Sequence, residues 1–137
     1  MVMKFEFATA TRIVFGVGAV NDAGAIARDF GRRALVVTGR DATRAERLLA
    51  HLKSAGVSAA TFPVTGEPEL ATVEQGTKLA KAERCELVIG FGGGSAIDTA
   101  KAIAAMLANG GELLDYVEII GRGQPLTQPS ADRKSVV

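Results

Sequence analysis

Apolar and polar positions along this chain keep two rhythms, and the two alternate. Residues 34–38, Ala-Leu-Val-Val-Thr, form an unbroken apolar run with two β-branched valines, which suits a parallel strand buried on both faces in the middle of a sheet. Ala45, Leu48, Leu49, Leu52 and Ala55 then recur at helical spacing up to Gly56, with Arg44, Glu46, Arg47 and Lys53 beside or away from that stripe. Residues 58–64 predict another strand, 69–82 another crossover helix, and 87–91 a strand that feeds three consecutive glycines and a helix-like run over 100–108. Upstream, Phe5-Glu6-Phe7 and Arg12-Ile13-Val14-Phe15 predict a strand pair, and Asn21 opens a helix through residue 30 that Gly31 closes. Strands alternating with helices predict an α/β fold with a parallel sheet and right-handed crossovers. After Asn109-Gly110-Gly111 the pattern weakens, and residues 121–129 read as loop.

Composition narrows the class. The 137 residues, 47% of them hydrophobic, suffice for one domain with its own core. Sixteen lysines and arginines against fifteen aspartates and glutamates leave a net charge of +1 with no basic block, so nucleic acid is not an expected partner. The first residues lack a basic segment followed by an apolar stretch, and no run approaches the ~18 apolar residues of a membrane span, so no membrane association and a cytoplasmic location are expected. The single cysteine, Cys85, precedes an apolar strand and reads as a buried thiol without chemistry.

Two glycine motifs compete for a phosphate-bearing ligand. Gly16-Val17-Gly18-Ala19-Val20-Asn21 approximates the dinucleotide fingerprint, but asparagine replaces its third glycine, and a tight turn into an Asn21-capped helix explains it as well. Gly92-Gly93-Gly94-Ser95 ends the most strand-like segment, where open α/β sheets bind ligands beyond the carboxyl ends of their strands. Without Cβ atoms the backbone amides can approach an anion, and the free N–H groups and dipole of the following helix favour negative charge there. The second motif is the favoured cradle. Ser95 and Asp98 also have capping-box spacing, and Lys101 stands at i+3 from Asp98, so helix capping and an intrahelical ion pair remain open beside ligand binding.

Gly-Gly-Gly-Ser-x-x-Asp-x-x-Lys after an apolar strand resembles the signature of the iron-containing alcohol dehydrogenases, in the superfamily that also holds dehydroquinate synthase and glycerol dehydrogenase. Ile13-Val14-Phe15-Gly16-x-Gly18 resembles that family's entry turn, and residues 34–40 its second nucleotide strand. Leu113-Leu114-Asp115-Tyr116 and Pro125-Leu126-Thr127 resemble the stretch before its next block, so the likeness covers residues 4–130. It implies a Rossmann-like parallel sheet with flanking helices. It also implies an NAD(P)-dependent interconversion of an alcohol with an aldehyde or ketone, and a homo-oligomer when full length. Gly92, Gly93, Gly94 and Ser95 would then meet the cofactor pyrophosphate, with Asp98 towards the nicotinamide and Lys101 completing the motif. Ser95 and Lys101 separate the chain from dehydroquinate synthases, while a glycerol dehydrogenase-like relative remains an alternative. An acidic residue at the end of strand 34–38 would bond the ribose 2′-hydroxyl, and an arginine would accommodate a 2′-phosphate. The chain offers Gly39-Arg40-Asp41; many NAD-preferring members of the family have aspartate at the position of Gly39, so NADP is favoured and Asp41 keeps NAD open.

The family's catalysis uses Fe2+ or Zn2+ held by one aspartate and three histidines on a C-terminal all-helical domain. This chain has one histidine, His51, within a predicted helix, so that metal-binding domain is expected to be absent and the chain to be inactive alone. Domain boundaries are expected at 1–131 for the cofactor-binding unit and 132–137 for a non-native tail, since Asp-Arg-Lys-Ser-Val-Val is what a read-through into a common sequencing adapter would encode. Two rival readings stand: a free-standing nucleotide-binding module that senses or scaffolds, and a glycine turn that is chain geometry alone.

Overall fold

The computed structural model describes residues 14–111. The expected strand 5–7, half of the expected strand 12–15, the expected loop over 121–129 and the tail 132–137 lie outside the described residues. Three parallel strands form the sheet: β1 (Arg33–Thr38), β2 (Ser58–Pro63) and β3 (Leu87–Phe91), in the order β2-β1-β3. Leu35 pairs with Ala60 on one side and Val88 on the other, which fixes the register. The apolar run was expected mid-sheet, and β1 lies there, buried from Ala34 to Thr38.

Successive strand residues point to opposite faces, so β1 and β3 each feed two cores, while β2 gives Ala60 and Phe62 to one of them. On one face Ala34, Val36, Leu87 and Ile89 pack with Leu48 and Leu52 of α2 (Glu46–Ser54) and Ala23 and Ala27 of α1 (Ala23–Arg28). On the other, Leu35, Val37 and Val88 pack with Val73 and Ala80 of α3 (Leu70–Ala82) and Ala96, Ala100 and Ile103 of α4 (Gly94–Asn109). Leu35, Leu48, Leu52 and Ile103 are completely buried, and burial of each contributes roughly 1.5–3 kcal/mol. Two glycines set how closely α3 and α4 pack: a Cβ on Gly90 of β3 would come within 3.1 Å of Ile97 Cα, and one on Gly76 within 2.3 Å of Ile103. Gly90 therefore lets α4 lie close against β3, which holds its N-terminus beside the strand end.

Three expectations need correction. Val14 and Phe15 are exposed and belong to no strand among the described residues; their expected partner, 5–7, lies outside them. Asn21 does not cap the first helix, because a 3-10 turn (Ala19–Asp22) precedes α1 and Asn21 sits within it, its Oδ1 accepting from Arg47 Nη2 at 3.0 Å. Gly31 follows α1 without a left-handed φ; it is small because Glu86 packs on it, a Cβ there meeting Glu86 Cβ at 2.7 Å. The left-handed helix ends lie elsewhere. Gly56 (φ +77) closes α2, with Val57 N–H donating to Leu52 O at 2.9 Å. Arg84 (φ +53) closes α3 in the same way, with Cys85 N–H donating to Ala80 O at 2.8 Å.

Candidate functional site

The carboxyl ends of β1 and β3 meet where the chain turns into its next helices. Gly92 needs to be glycine: its φ is +140, and a Cβ would stand 3.4 Å from both Gly39 N and Ala96 Cβ. Gly93 and Gly94 do not. Neither has a left-handed φ, and a Cβ on either, or on Gly39, would meet nothing within 4 Å. Nothing in the described protein fills the space in front of them.

Gly93 is the N-cap of α4 and supplies no side-chain cap. The first helical bond runs from Ile97 N–H to Gly93 O at 3.2 Å, so the amides of Gly94, Ser95 and Ala96 precede the ladder, at the positive end of a 16-residue helix. Ser95 lies inside the helix and does not cap it, which removes the capping-box alternative. Asp98 and Lys101 are both exposed on α4, and among the described residues no ion pair joins them.

A cleft of about 600 Å3 opens at this strand end. Of the residues singled out from sequence, Gly39, Arg40, Asp41, Gly92 and Gly93 line it. Gly94, Ser95, Asp98 and Lys101 follow along α4 and do not line the cleft itself. Sequence reasoning missed two of its walls, Phe91 and Arg44. Arg44 was read only as a polar flank of the α2 stripe; its signal was its position four residues after Arg40, in the turn that follows the strand.

Asp41 has a structural task. It caps the 3-10 turn Ala42–Ala45 with Oδ1, accepting from Thr43 N–H at 3.1 Å and from the Thr43 hydroxyl. The Thr43 hydroxyl, then its amide, hold the Asp41 carboxyl below the usual carboxylate range; burial opposes them, and the nearby Arg44 guanidinium adds a lesser pull downward. Asp41 is therefore an anion already engaged by its neighbours.

The described residues do not fit the family's metal. Among them no group of three or more His, Cys, Asp or Glu is placed to hold an ion, and the backbone carbonyl of His51 lies against Gly24 in the α1–α2 contact. No helix among them is long and apolar enough to cross a membrane. Cys85 is half-buried, and burial, then the nearby Glu83, push its thiol pKa up, which disfavours the reactive thiolate.

A parallel α/β unit with a glycine turn opening at the carboxyl ends of its strands is the class that this fold and cleft define. The chain belongs to the iron-containing alcohol dehydrogenase family, whose family model matches residues 10–136. It is similar to the NAD-dependent methanol dehydrogenase of Bacillus methanolicus, 36% identical over 108 residues, which cover 75% of this chain and 28% of that protein. The NADH-dependent butanol dehydrogenase A of Clostridium acetobutylicum is 30% identical over 123 residues, covering 85% of this chain and 31% of that one. An archaeal halo-thermophilic alcohol dehydrogenase from a Red Sea brine pool has the same architecture, with a TM-score of 0.82 and 27% identity over 93% of this chain and 34% of that one. The chain spans under a third of the length of these two curated relatives.

Proposed function

We propose that this chain is the cofactor-binding part of an NAD(P)-dependent alcohol dehydrogenase that interconverts an alcohol with an aldehyde or ketone. One observation carries the reading: Gly93 and Gly94 are glycine where neither backbone conformation nor any described neighbour requires it, and they front unbonded helix amides. Glycine at such positions keeps room for a close approach to something outside the protein's own packing. In this reading the amides of Gly94 and Ser95 hold the pyrophosphate, with Gly92 shaping the turn. Asp98 and Lys101, further along α4, serve the nicotinamide side, and Gly39, Arg40 and Asp41 border the adenosine ribose. NADP is favoured over NAD because Gly39-Arg40 follow the strand directly and Asp41 already accepts two hydrogen bonds from Thr43.

The bound cofactor would supply the hydride chemistry; the chain's residues bind and orient it. No step is placed on a metal held by the described residues, since they offer no such group. The names of the methanol and butanol dehydrogenases support an alcohol or aldehyde as the substrate class.

Titrating ADP-ribose into the full chain by calorimetry tests the reading. Saturable one-to-one binding that is lost in Gly93→Val is expected. A folded chain with no affinity for ADP-ribose overturns it.

A further inference from the structure

The carboxyl end of α4 carries a reactive dipeptide that its own hydrogen bonds hold in check. The chain has two asparagines, Asn21 and Asn109, and only Asn109 precedes a glycine. Asn109 is the last residue of α4, and Gly110 follows as its C-cap with a left-handed φ of +66. Gly110 has no side chain to shield the peptide nitrogen beside Asn109, and a Cβ there would meet nothing within 4 Å.

Both reacting groups are engaged in the folded chain. Asn109 Nδ2 donates to Ala105 O at 2.8 Å, which draws the side chain back along the helix, and Gly110 N–H donates to Met106 O at 2.9 Å. Closure of an asparagine onto the next residue needs the deprotonated peptide nitrogen to reach the side-chain carbon Cγ. With the proton of Gly110 held on Met106 O and the Asn109 amide tied to Ala105 O, closure requires the last turn of α4 to open. Helix ends open at low free energy, and no basic side chain lies in this turn to complement the helix dipole.

We infer that Asn109 is a site of spontaneous deamidation gated by the last turn of α4, and that its conversion loosens this turn irreversibly. In the opened turn hydroxide takes the Gly110 amide proton, the nitrogen bonds to Asn109 Cγ, and the Cγ–Nδ2 bond breaks as Nδ2 leaves as ammonia with a proton from water. Water then opens the five-membered imide at either carbonyl, giving aspartate or isoaspartate. No electrons are transferred, and water is the only co-reactant consumed. The new carboxylate cannot donate to Ala105 O and stands at the negative end of the helix dipole. Isoaspartate also lengthens the backbone by one carbon. Met106 and Leu107 of the same turn pack in or against the core shared by α3 and α4, so the loosening reaches buried positions. This site lies at the opposite end of α4 from the glycine cradle, and the inference is independent of the cofactor reading.

The test follows both asparagines by peptide mapping and mass spectrometry in the full chain at mildly alkaline pH, folded and in urea. Asn109 is expected to convert in urea well ahead of Asn21, and at least about tenfold more slowly in the folded chain. Ala108→Gly weakens the last turn by the propensity difference between alanine and glycine, which should speed conversion of the folded chain by about fivefold and leave the rate in urea unchanged. Asn109→Asp, which mimics one product, should show faster amide hydrogen exchange in the last turn of α4 than the parent chain.

Equal rates for the folded chain and the chain in urea overturn the gate, as does a folded Ala108→Gly rate equal to that of the parent. Asn21 converting in urea as fast as Asn109, or no conversion of Asn109 there, overturns the site. Unchanged exchange in Asn109→Asp overturns the loosening.

Discussion

The two ends of the sheet are built to different rules. At the amino end, before each strand, the described polar groups meet one another. The Glu86 carboxylate accepts from the amides of Arg32 and Arg33, Ser58 N–H donates to Arg32 O at 2.8 Å, and Arg28 donates to Ala55 O. Glycines there are small because something touches them: Glu86 lies against Gly31, and Arg28 against Gly56. At the carboxyl end Gly39, Gly93 and Gly94 face open space, and the cleft is lined by Arg40 and Arg44, which lack ion-pair partners among the described residues. One end satisfies itself, and at the other the described neighbours leave these groups unused. The difference shows why glycine content alone is a poor guide to a binding site: what distinguishes a cradle is a glycine its own structure does not need.

The sharpest break of this comparison is a matched pair of alanine substitutions. Gly31→Ala drives a methyl into Glu86 and is expected to destabilise the chain by about 1–3 kcal/mol, read by urea denaturation. Gly94→Ala has room and a better helix former, so its stability should stay within about 1 kcal/mol of the parent or rise. Its affinity for ADP-ribose should nevertheless fall by about tenfold or more, as expected when charge-assisted hydrogen bonds are obstructed. If Gly94→Ala binds normally, the two ends do not differ in the way proposed.

Glu86→Gln probes the amino end next. The Arg32 amide holds the Glu86 carboxyl below its ordinary value; burial opposes it, and the weaker Arg33 bond and the two arginine charges add to the lowering. A lowered folded pKa means that this contribution is fully present above the ordinary glutamate range, from about pH 5 upward. It is lost as pH falls through the lowered value. Thermal melts should therefore show a gap between parent and Glu86→Gln at pH 7 that closes towards pH 3; a gap that widens on acidification contradicts the assignment.

A smaller effect should come from Arg84, which ends α3 in the left-handed conformation that glycine adopts at the end of α2. Arg84→Gly is expected to raise stability by roughly 0.5–1 kcal/mol, the relief of left-handed strain offset by a more flexible unfolded chain. Denaturant midpoints check it, and destabilisation would mean that the Arg84 side chain contributes packing that outweighs the strain.

The smallest change is expected at the open end. Thr43→Val removes the hydroxyl donated to Asp41 but keeps the amide, so the Asp41 pKa should rise towards the ordinary carboxylate range while Tm moves by only about 1–2 °C. Carboxyl NMR titration reads the first and calorimetry the second. An unchanged Asp41 pKa would detach Thr43 from the cap.

Much of this fold was legible in order along the chain, because burial on a sheet and on a helix imposes periods of two and 3.6 that survive in sequence. The run 87–91 gave β3 at its observed limits, and residues 34–38 gave all but the first residue of β1. The stripe from Ala45 to Ala55 gave α2 and its glycine stop. The glycine turn after β3 was legible for the same reason: a strand, three residues without side chains and a helix are neighbours in sequence.

Tertiary structure decided what depends on residues distant in the chain. Gly31 is small because of Glu86, 55 positions later, and the partner of Asn21 is Arg47; neither contact leaves a periodic trace. The capping box at Ser95 was indistinguishable by spacing from a serine inside the first turn until the N-cap fell on Gly93. Sequence determined that a glycine turn and an arginine after a strand were available. Only the parallel pairing of β1 with β3 placed Gly92 against Gly39 and brought Arg44 into the same cleft, because strand order is fixed by burial shared between segments and not by any segment alone.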